Sequence, residues 1–398
     1  MQILYVTSLW SGLEDLIVHG RSEATGMPAF LRPLRGLVEA GHWVDVIVAA
    51  DPGATLGEVR VPWLRDVNFQ LVSWPSARWQ RVASVVQLLR LVRAALRRQR
   101  YDFVYGHGRT GVAGCLAARQ AGIACGQRLY GVYDLLAQLE RLPRRAIAVS
   151  EPLLYLSFRM AKDFLLITDD GSHGDRAWQR LGRPGAFEFH FWRNGVDFPP
   201  TSETRADGGE GEQFLFMPAR ITAWKRQIHA LEILRQLHAM GWTDLKLYLA
   251  GPVADPAYWA TFEQQRDAYG LGPSVRYLGS LPAQVLAPYY RQSIAILAPY
   301  EQASLGNVVI EGLAAGGVVV AQDSEALDGV IRDGDNGLRV SSPAEAAARL
   351  VALLEDVDAF RAMRARASAS ARQTFESWDQ RIGREIQLIE THVARRGA

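Results

Sequence analysis

Lysine is scarce in this chain. Of 44 Lys+Arg residues only Lys162, Lys225 and Lys246 are lysine, so a lysine standing in a functional pattern is there against the composition. Cysteine is scarcer still: Cys115 and Cys125 lie ten apart with no metal-type pairing. That excludes a disulfide scaffold or a zinc module and predicts two reduced thiols in a cytoplasmic protein. No apolar run reaches the ~18–20 residues that a bilayer span needs. Residues 1–6, MQILYV, read as a first strand without a basic leader, so no signal peptide is expected. A net charge of +2 predicts no strong affinity for nucleic acid. Internal repeats and low-complexity tracts are also missing.

What is present is an ordinary globular composition, 48% hydrophobic and 22% charged over 398 residues, long enough for two domains with large cores. Short apolar runs alternate with amphipathic helical stretches, the pattern of doubly wound parallel sheets. In the first half, strands are predicted near 3–7, 43–49, 69–72, 103–105, 126–130, 146–149 and 164–168. A polar linker follows Pro199-Pro200 and fills 199–212. The second half has strands predicted from 214 and at 246–250, 275–278, 294–298 and 318–321. The expected architecture is α/β, with domains 1–198 and 213–374 and a last helix within 375–398.

Residues 299–316, PYEQASLGNVVIEGLAAG, carry the most information. They follow the apolar run 294–298 and join a turn with Ser304, Gly306 and Asn307 to an apolar helix start at Val308. A strand, a glycine-bearing turn and a helix N-terminus together form an anion site, because free N–H groups and the positive dipole end face one point. Glu311 is expected in the first helical turn, where its carboxylate accepts hydroxyl hydrogens of a sugar or ribose. The segment resembles the motif of the family-4 retaining glycosyltransferases, which have the GT-B fold. In that resemblance Glu311 matches the glutamate that binds the nucleotide ribose, and Gly306 matches the turn glycine. The family's other glutamate falls on Ala303. Glu301, two residues upstream, is the candidate to replace it near the donor sugar.

A second segment carries the same resemblance. FLFMPAR, 214–220, is a strand running into a loop, and ITAWK, 221–225, precedes a helix from about 227. The spacing Arg220 to Lys225 is similar to the family's Arg and Lys-Gly pattern, whose two cations clamp the diphosphate. Two cations at a helix start are locally unfavourable, which a doubly charged ligand would reverse. RNGVD at 193–197 and IRDGDNGL at 331–338 resemble further family segments. The likeness therefore spans nearly the whole chain, strongly in the second half.

In the first half, Gly26 in the stretch before the helix at 29–40 is expected to let the backbone approach the donor diphosphate. A plain surface loop is the alternative for 11–28. His107, in DFVYGHG at 102–108, sits at a strand's C-terminal end, where open α/β sheets place ligands. Arg128 and Tyr130 in RLYG complete the acceptor-side candidates. Tyr130 stands where the resemblance implies a histidine, and Arg128 reads equally as a salt-bridged core residue. Residues 79–100 form a basic amphipathic helix. It is either docked on its sheet with a solvated cationic face or a peripheral contact for an anionic membrane.

The resemblance implies two Rossmann-like domains facing a cleft and transfer from a nucleoside-diphosphate sugar, UDP- or GDP-linked. The acceptor would be a hydroxyl of a glycan, lipid-linked or small-molecule compound. Arg220, Lys225 and Glu301 would act in catalysis, and Gly26, Ser304, Leu305, Gly306, Asn307, Val308 and Glu311 would hold the donor. No metal or other cofactor is expected. Two alternatives stand beside it: a non-catalytic GT-B paralogue that binds sugar or partner proteins, and a sugar-nucleotide epimerase.

Overall fold

A computed structural model describes residues 1–26, 28–75, 81–199, 212–302 and 305–397. Two compact units divide the chain, Met1–Gly195 with Trp378–Ala398, and Val196–Ser377. The expected linker, Ala303 and Ser304 lie largely or wholly outside the described residues.

The first unit holds a parallel sheet of β1 (Gln2–Ser8), β2 (Trp43–Ala50), β3 (Asn68–Ser73), β4 (Phe103–His107), β5 (Ala124–Leu129), β6 (Phe164–Thr168) and β7 (Glu188–Trp192). Their spatial order is β3-β2-β1-β4-β5-β6-β7. β4 and β6 are buried along their whole length, as continuous apolar strands covered on both faces must be. The final helix, Trp378–Gly397, contributes Ile389 to the core around Ile3 and Phe103.

The second unit holds β8 (Phe214–Pro218), β9 (Lys246–Ala250), β10 (Val275–Tyr277), β11 (Ala295–Ala298), β12 (Val319–Gln322) and β13 (Leu338–Val340), in the order β10-β9-β8-β11-β12-β13. Every described pairing in both sheets is parallel. The architecture is α/β with two doubly wound sheets.

One local expectation is corrected, and two segments that the sequence reads in two ways take a definite structure. Residues 146–149 are not a strand but part of the helix Arg144–Ser150. Ile147 is fully buried while Val149 is 83% exposed, whereas in a strand the two would share a face. A short apolar run cannot be assigned by period alone. The stretch after β1 opens with a helix, Ser11–Ile17, and Asp15 then pins its return by accepting from the Thr25 amide at 2.8 Å. The basic helix, described from Arg81 to Arg98, buries Leu88 and Val92 in the core with Val6 and Val104. Its apolar stripe is therefore used inside the unit, which leaves Arg90, Arg97 and Arg98 as a solvated cationic face.

Candidate functional site

Both sheets reverse direction once. In the second unit the chain runs β8 to β10 outward on one side and β11 to β13 on the other. The loops leaving the C-terminal ends of neighbouring β8 and β11 therefore diverge, and a crevice opens at such a switch point. Arg220 and the turn Ala223–Lys225 follow β8, while Tyr300, Glu301 and the helix Asn307–Ala314 follow β11. Residues eighty positions apart in sequence are brought together by this pairing alone.

The two loops are tied to one another. The Glu301 amide donates to the Trp224 carbonyl at 3.0 Å. Lys225 places its ammonium 3.4 Å from the centre of the Tyr300 ring and 4.3 Å from that of Trp224. Two aromatic faces thus hold the cation by its electrostatic attraction to the rings. Arg220 is exposed, and among the described residues no carboxylate engages its guanidinium. Its carbonyl accepts from Gln227 Nε2 at 2.9 Å, which fixes the loop's path rather than the side chain. Gly251 crosses close behind, at φ 131°, and a Cβ there would meet the Ala219 carbonyl oxygen at 2.5 Å.

Arg226 was not foreseen as a site residue. It takes φ 58° at the position before the helix Gln227–Ala239, a left-handed conformation that glycine adopts freely and an arginine only at a cost of about 1 kcal/mol. The resembled motif has glycine after its lysine, so the departure was visible in sequence. The Arg226 guanidinium lies 3.8 Å from the Glu301 carboxylate, itself 55% exposed. Around this turn Thr222 Oγ1, Gln227 Oε1, His229 Nδ1 and the Tyr300 hydroxyl are buried without a hydrogen-bond partner. A buried polar atom left unpaired costs about 1–3 kcal/mol, and a group of them marks a place where water or a ligand supplies the missing bonds. Burial, and next the nearby Arg226 charge, lowers the His229 pKa, so its ring is neutral at pH 7.

Leu305 is buried, while Gly306, Asn307 and Val308 are half-buried at the start of the helix. Gly306 occupies the N-cap and has no side chain to cap it. Glu311 is the fifth residue of this helix, not part of its first turn as expected. The dipole contribution fades beyond that turn, and burial dominates instead. Burial raises the Glu311 carboxyl to about 7, against the lowering effect of the Tyr290 hydroxyl, which donates to Oε2 at 2.7 Å. Tyr290 comes from the helix Ala283–Gln292 and positions this carboxyl; nothing in its local sequence marks that role.

A stability dependence follows. The folded state holds the Glu311 proton more tightly than the unfolded chain, whose value is near 4.5. The second unit should therefore lose stability as pH rises from about 4.5 to about 7 and change little from this group beyond. Urea midpoints across that range should be flatter in Glu311→Gln; an identical slope in the variant would remove Glu311 as the cause.

In the first unit the switch point falls between β1 and β4. His107, at the end of β4, is fully buried and its Nδ1 lies 2.6 Å from the Tyr130 hydroxyl. Its ring stacks on Tyr5 at 4.1 Å. Burial holds the His107 pKa well below 6.5 and raises the Tyr130 phenol. Arg128 lies beside them, 4.8 Å from the Tyr130 ring centre, but the structure corrects its reading as an acceptor or phosphate ligand. The residue is wholly buried and its Nη1 donates to Glu385 Oε2 at 2.9 Å. Glu385 also takes Arg381 Nη1 at 2.8 Å and the Tyr105 hydroxyl. Arg128 is thus a core ion-pair residue. Gly26 is exposed at φ 88°, two positions before the start of the helix Pro28–Glu39. Ser304 lies outside the described residues.

The two doubly wound sheets are those of the GT-B fold, and comparison with known structures agrees. Residues 202–374 match the model of the family Glycosyl transferases group 1. Sucrose-phosphate synthase of Thermosynechococcus elongatus superposes with a TM-score of 0.75 at 18% identity, over 99% of this chain and 100% of that one. HepE of Anabaena, solved in complex with UDP and glucose, gives 0.67 at 18% identity over 97% and 99%. Among curated sequences, D-inositol 3-phosphate glycosyltransferase of Corynebacterium kroppenstedtii is 35% identical over 99 residues. That match takes in 24% of this chain and 22% of the relative, so it spans about a fifth of the relative's length.

Proposed function

We propose that the protein transfers a sugar from a nucleoside-diphosphate sugar, UDP- or GDP-linked, to a hydroxyl of a glycan, lipid-linked or small-molecule acceptor, with retention at the anomeric carbon. The observation that carries this reading is the pair Arg220 and Lys225 at the β8 side of the switch point, opposite the start of the helix Asn307–Ala314. In the reaction the bond from the anomeric carbon to the diphosphate oxygen breaks. Negative charge then grows on the leaving diphosphate, and a bond to the acceptor oxygen replaces the lost one as its proton departs.

Arg220 and Lys225 neutralise that growing charge, which is where fixed cations accelerate such a step most. The amides at Gly306–Val308 add donors at the positive end of the helix. Glu311 accepts the ribose hydroxyls, and its Tyr290 partner keeps the carboxyl aimed. With the charge met by protein groups, turnover does not require a metal ion. HepE is solved with UDP and with UDP-glucose, which supports testing uridine donors first. Incubation with a panel of UDP, GDP, dTDP and ADP sugars in EDTA, with acceptor glycans, should release one nucleoside diphosphate, and NMR of the product should show the donor's anomeric configuration. An altered sugar still joined to its nucleotide, formed without any acceptor, would assign an epimerase; no release from any donor would overturn the transferase reading.

Glu301 and Glu311 should separate binding from chemistry. Glu301→Gln keeps shape but loses charge beside the departing sugar, so it should lower kcat about tenfold or more and leave UDP affinity within twofold. Glu311→Gln removes contacts present before and during reaction, so it should weaken nucleotide binding while kcat changes less. A wild-type kcat in Glu301→Gln would make Glu301 a solvated partner of Arg226 and nothing more.

A further inference from the structure

Three short helices, Leu135–Arg141, Arg144–Ser150 and Pro152–Arg159, follow β5 in the first unit. Their inward residues Leu135, Ile147, Leu154 and Phe158 pack with Leu165 and Ile167 of β6. Their outer side is unusually apolar. Of the eleven large hydrophobic side chains exposed among the described residues, four lie in this one stretch: Tyr133, Leu142, Val149 and Leu156. Val149 is the most exposed of all eleven. It stands four residues after Arg145 and so shares a helix face with it, opposite the buried Ile147.

Charge surrounds this apolar face. Arg141, Arg144 and Arg145 are all exposed, and among the described residues no carboxylate pairs with them. Two of the three local acids are already matched, Glu140 by Arg180 at 3.7 Å and Glu151 by Arg109; Asp134 is the third. With Arg141, Arg144, Arg145 and Arg159 against Asp134, Glu140 and Glu151, the stretch is net positive. Protruding aliphatic side chains beside unpaired guanidiniums suit the boundary of an anionic bilayer. There the apolar groups enter the acyl region and the cations stay among the headgroups. A partner protein would instead have to bring its own carboxylates to these arginines.

We propose that this three-helix face, centred on Val149 and Arg145, is a contact surface for anionic lipid bilayers. It is distinct from the basic helix Arg81–Arg98, whose apolar stripe is used in the core. It stands independently of the transferase reading, since it rests on surface chemistry in the first unit alone.

The test is co-sedimentation of the full chain with vesicles of phosphatidylcholine containing phosphatidylglycerol, against phosphatidylcholine alone, at low and high salt. The wild type should partition to the anionic vesicles and be released by salt. Each arginine near such a surface changes the partition coefficient about fivefold, so Arg144→Gln with Arg145→Gln should lower it roughly 25-fold. Val149→Asp should lower it at least tenfold, while Arg90→Gln with Arg97→Gln should leave it unchanged. All these side chains are exposed, so thermal melts should match the wild type. Equal binding to neutral and anionic vesicles, or undiminished binding by Val149→Asp, would overturn the proposal. So would a concentration-dependent dimer that Val149→Asp dissolves without any vesicle binding, because the face would then serve a second copy of the chain.

Discussion

Arg220→Ala and Lys225→Ala should each lower turnover by ~100–1000-fold, the loss expected when one fixed group opposing a developing charge is removed, ~3–4 kcal/mol. Both should also weaken binding of the free nucleoside diphosphate. The fold should survive. The Arg220 side chain is exposed and its guanidinium pairs with no described carboxylate, so its removal takes no contact from the core. Lys225 rests on Tyr300 and Trp224, an attraction of about 0.5–2 kcal/mol, small beside the stability of a domain. Lys225→Arg should not restore activity, because a guanidinium stacked on the Tyr300 ring spreads its charge over a rigid planar fork and cannot reproduce the point charge and freely rotating donors of an ammonium. Isothermal titration with UDP and GDP, beside turnover and melting curves, separates these effects. Unchanged nucleotide affinity in both alanine variants would take the diphosphate away from this loop.

The same two residues show what the sequence can disclose. Their spacing, and a lysine placed in a chain that otherwise uses arginine, mark the loop without any coordinates. The alternation of apolar runs and helices likewise makes the doubly wound sheets legible. What is hidden is whatever depends on strand order. Tyr300 supports Lys225 only because β8 lies beside β11, and Tyr290 reaches Glu311 only because the helices before and after β11 pack together. Local physics also decides between readings that a pattern leaves open. The run 146–149 is apolar enough for a strand, yet Pro143 and Pro152 bracket it, and one buried side per helical turn is all its neighbours can cover. Arg226 is a middle case: its conformation needs the structure, but an arginine where the resembled motif has glycine is plain in the sequence. Arg128 is the opposite one, since its partner Glu385 is 257 residues away and no local feature could choose between a ligand and a core pair.

That pair supports the second large effect. Glu385→Ala should destabilise the first unit by about 3–5 kcal/mol, a large share of the 5–15 kcal/mol that holds a typical domain together. Glu385 lies between Arg128 and Arg381, and all three are buried to 2% exposure or less. Burial alone would raise its carboxyl, but the two guanidiniums overcome this and hold it at about 2. Removing it leaves two cations in the core with no anion between them, which costs far more than the pairing itself contributes. The contribution should be complete above the unfolded value of 4.5 and should fade as pH falls toward 2, because the unfolded chain then binds a proton that the two guanidiniums keep off the folded state. Since Glu385 sits on the last helix and Arg128 on β5, the loss should be confined to the first unit. Hydrogen exchange in the variant should show amides of β4 and β5 losing protection while those of β8 and β11 keep theirs. Replacing Arg128, Arg381 and Glu385 together by Met, Met and Leu should recover part of the loss, because no charge is then stranded. If the single and triple variants are equally unstable, the cost lies in lost packing and the ion pair is not its source.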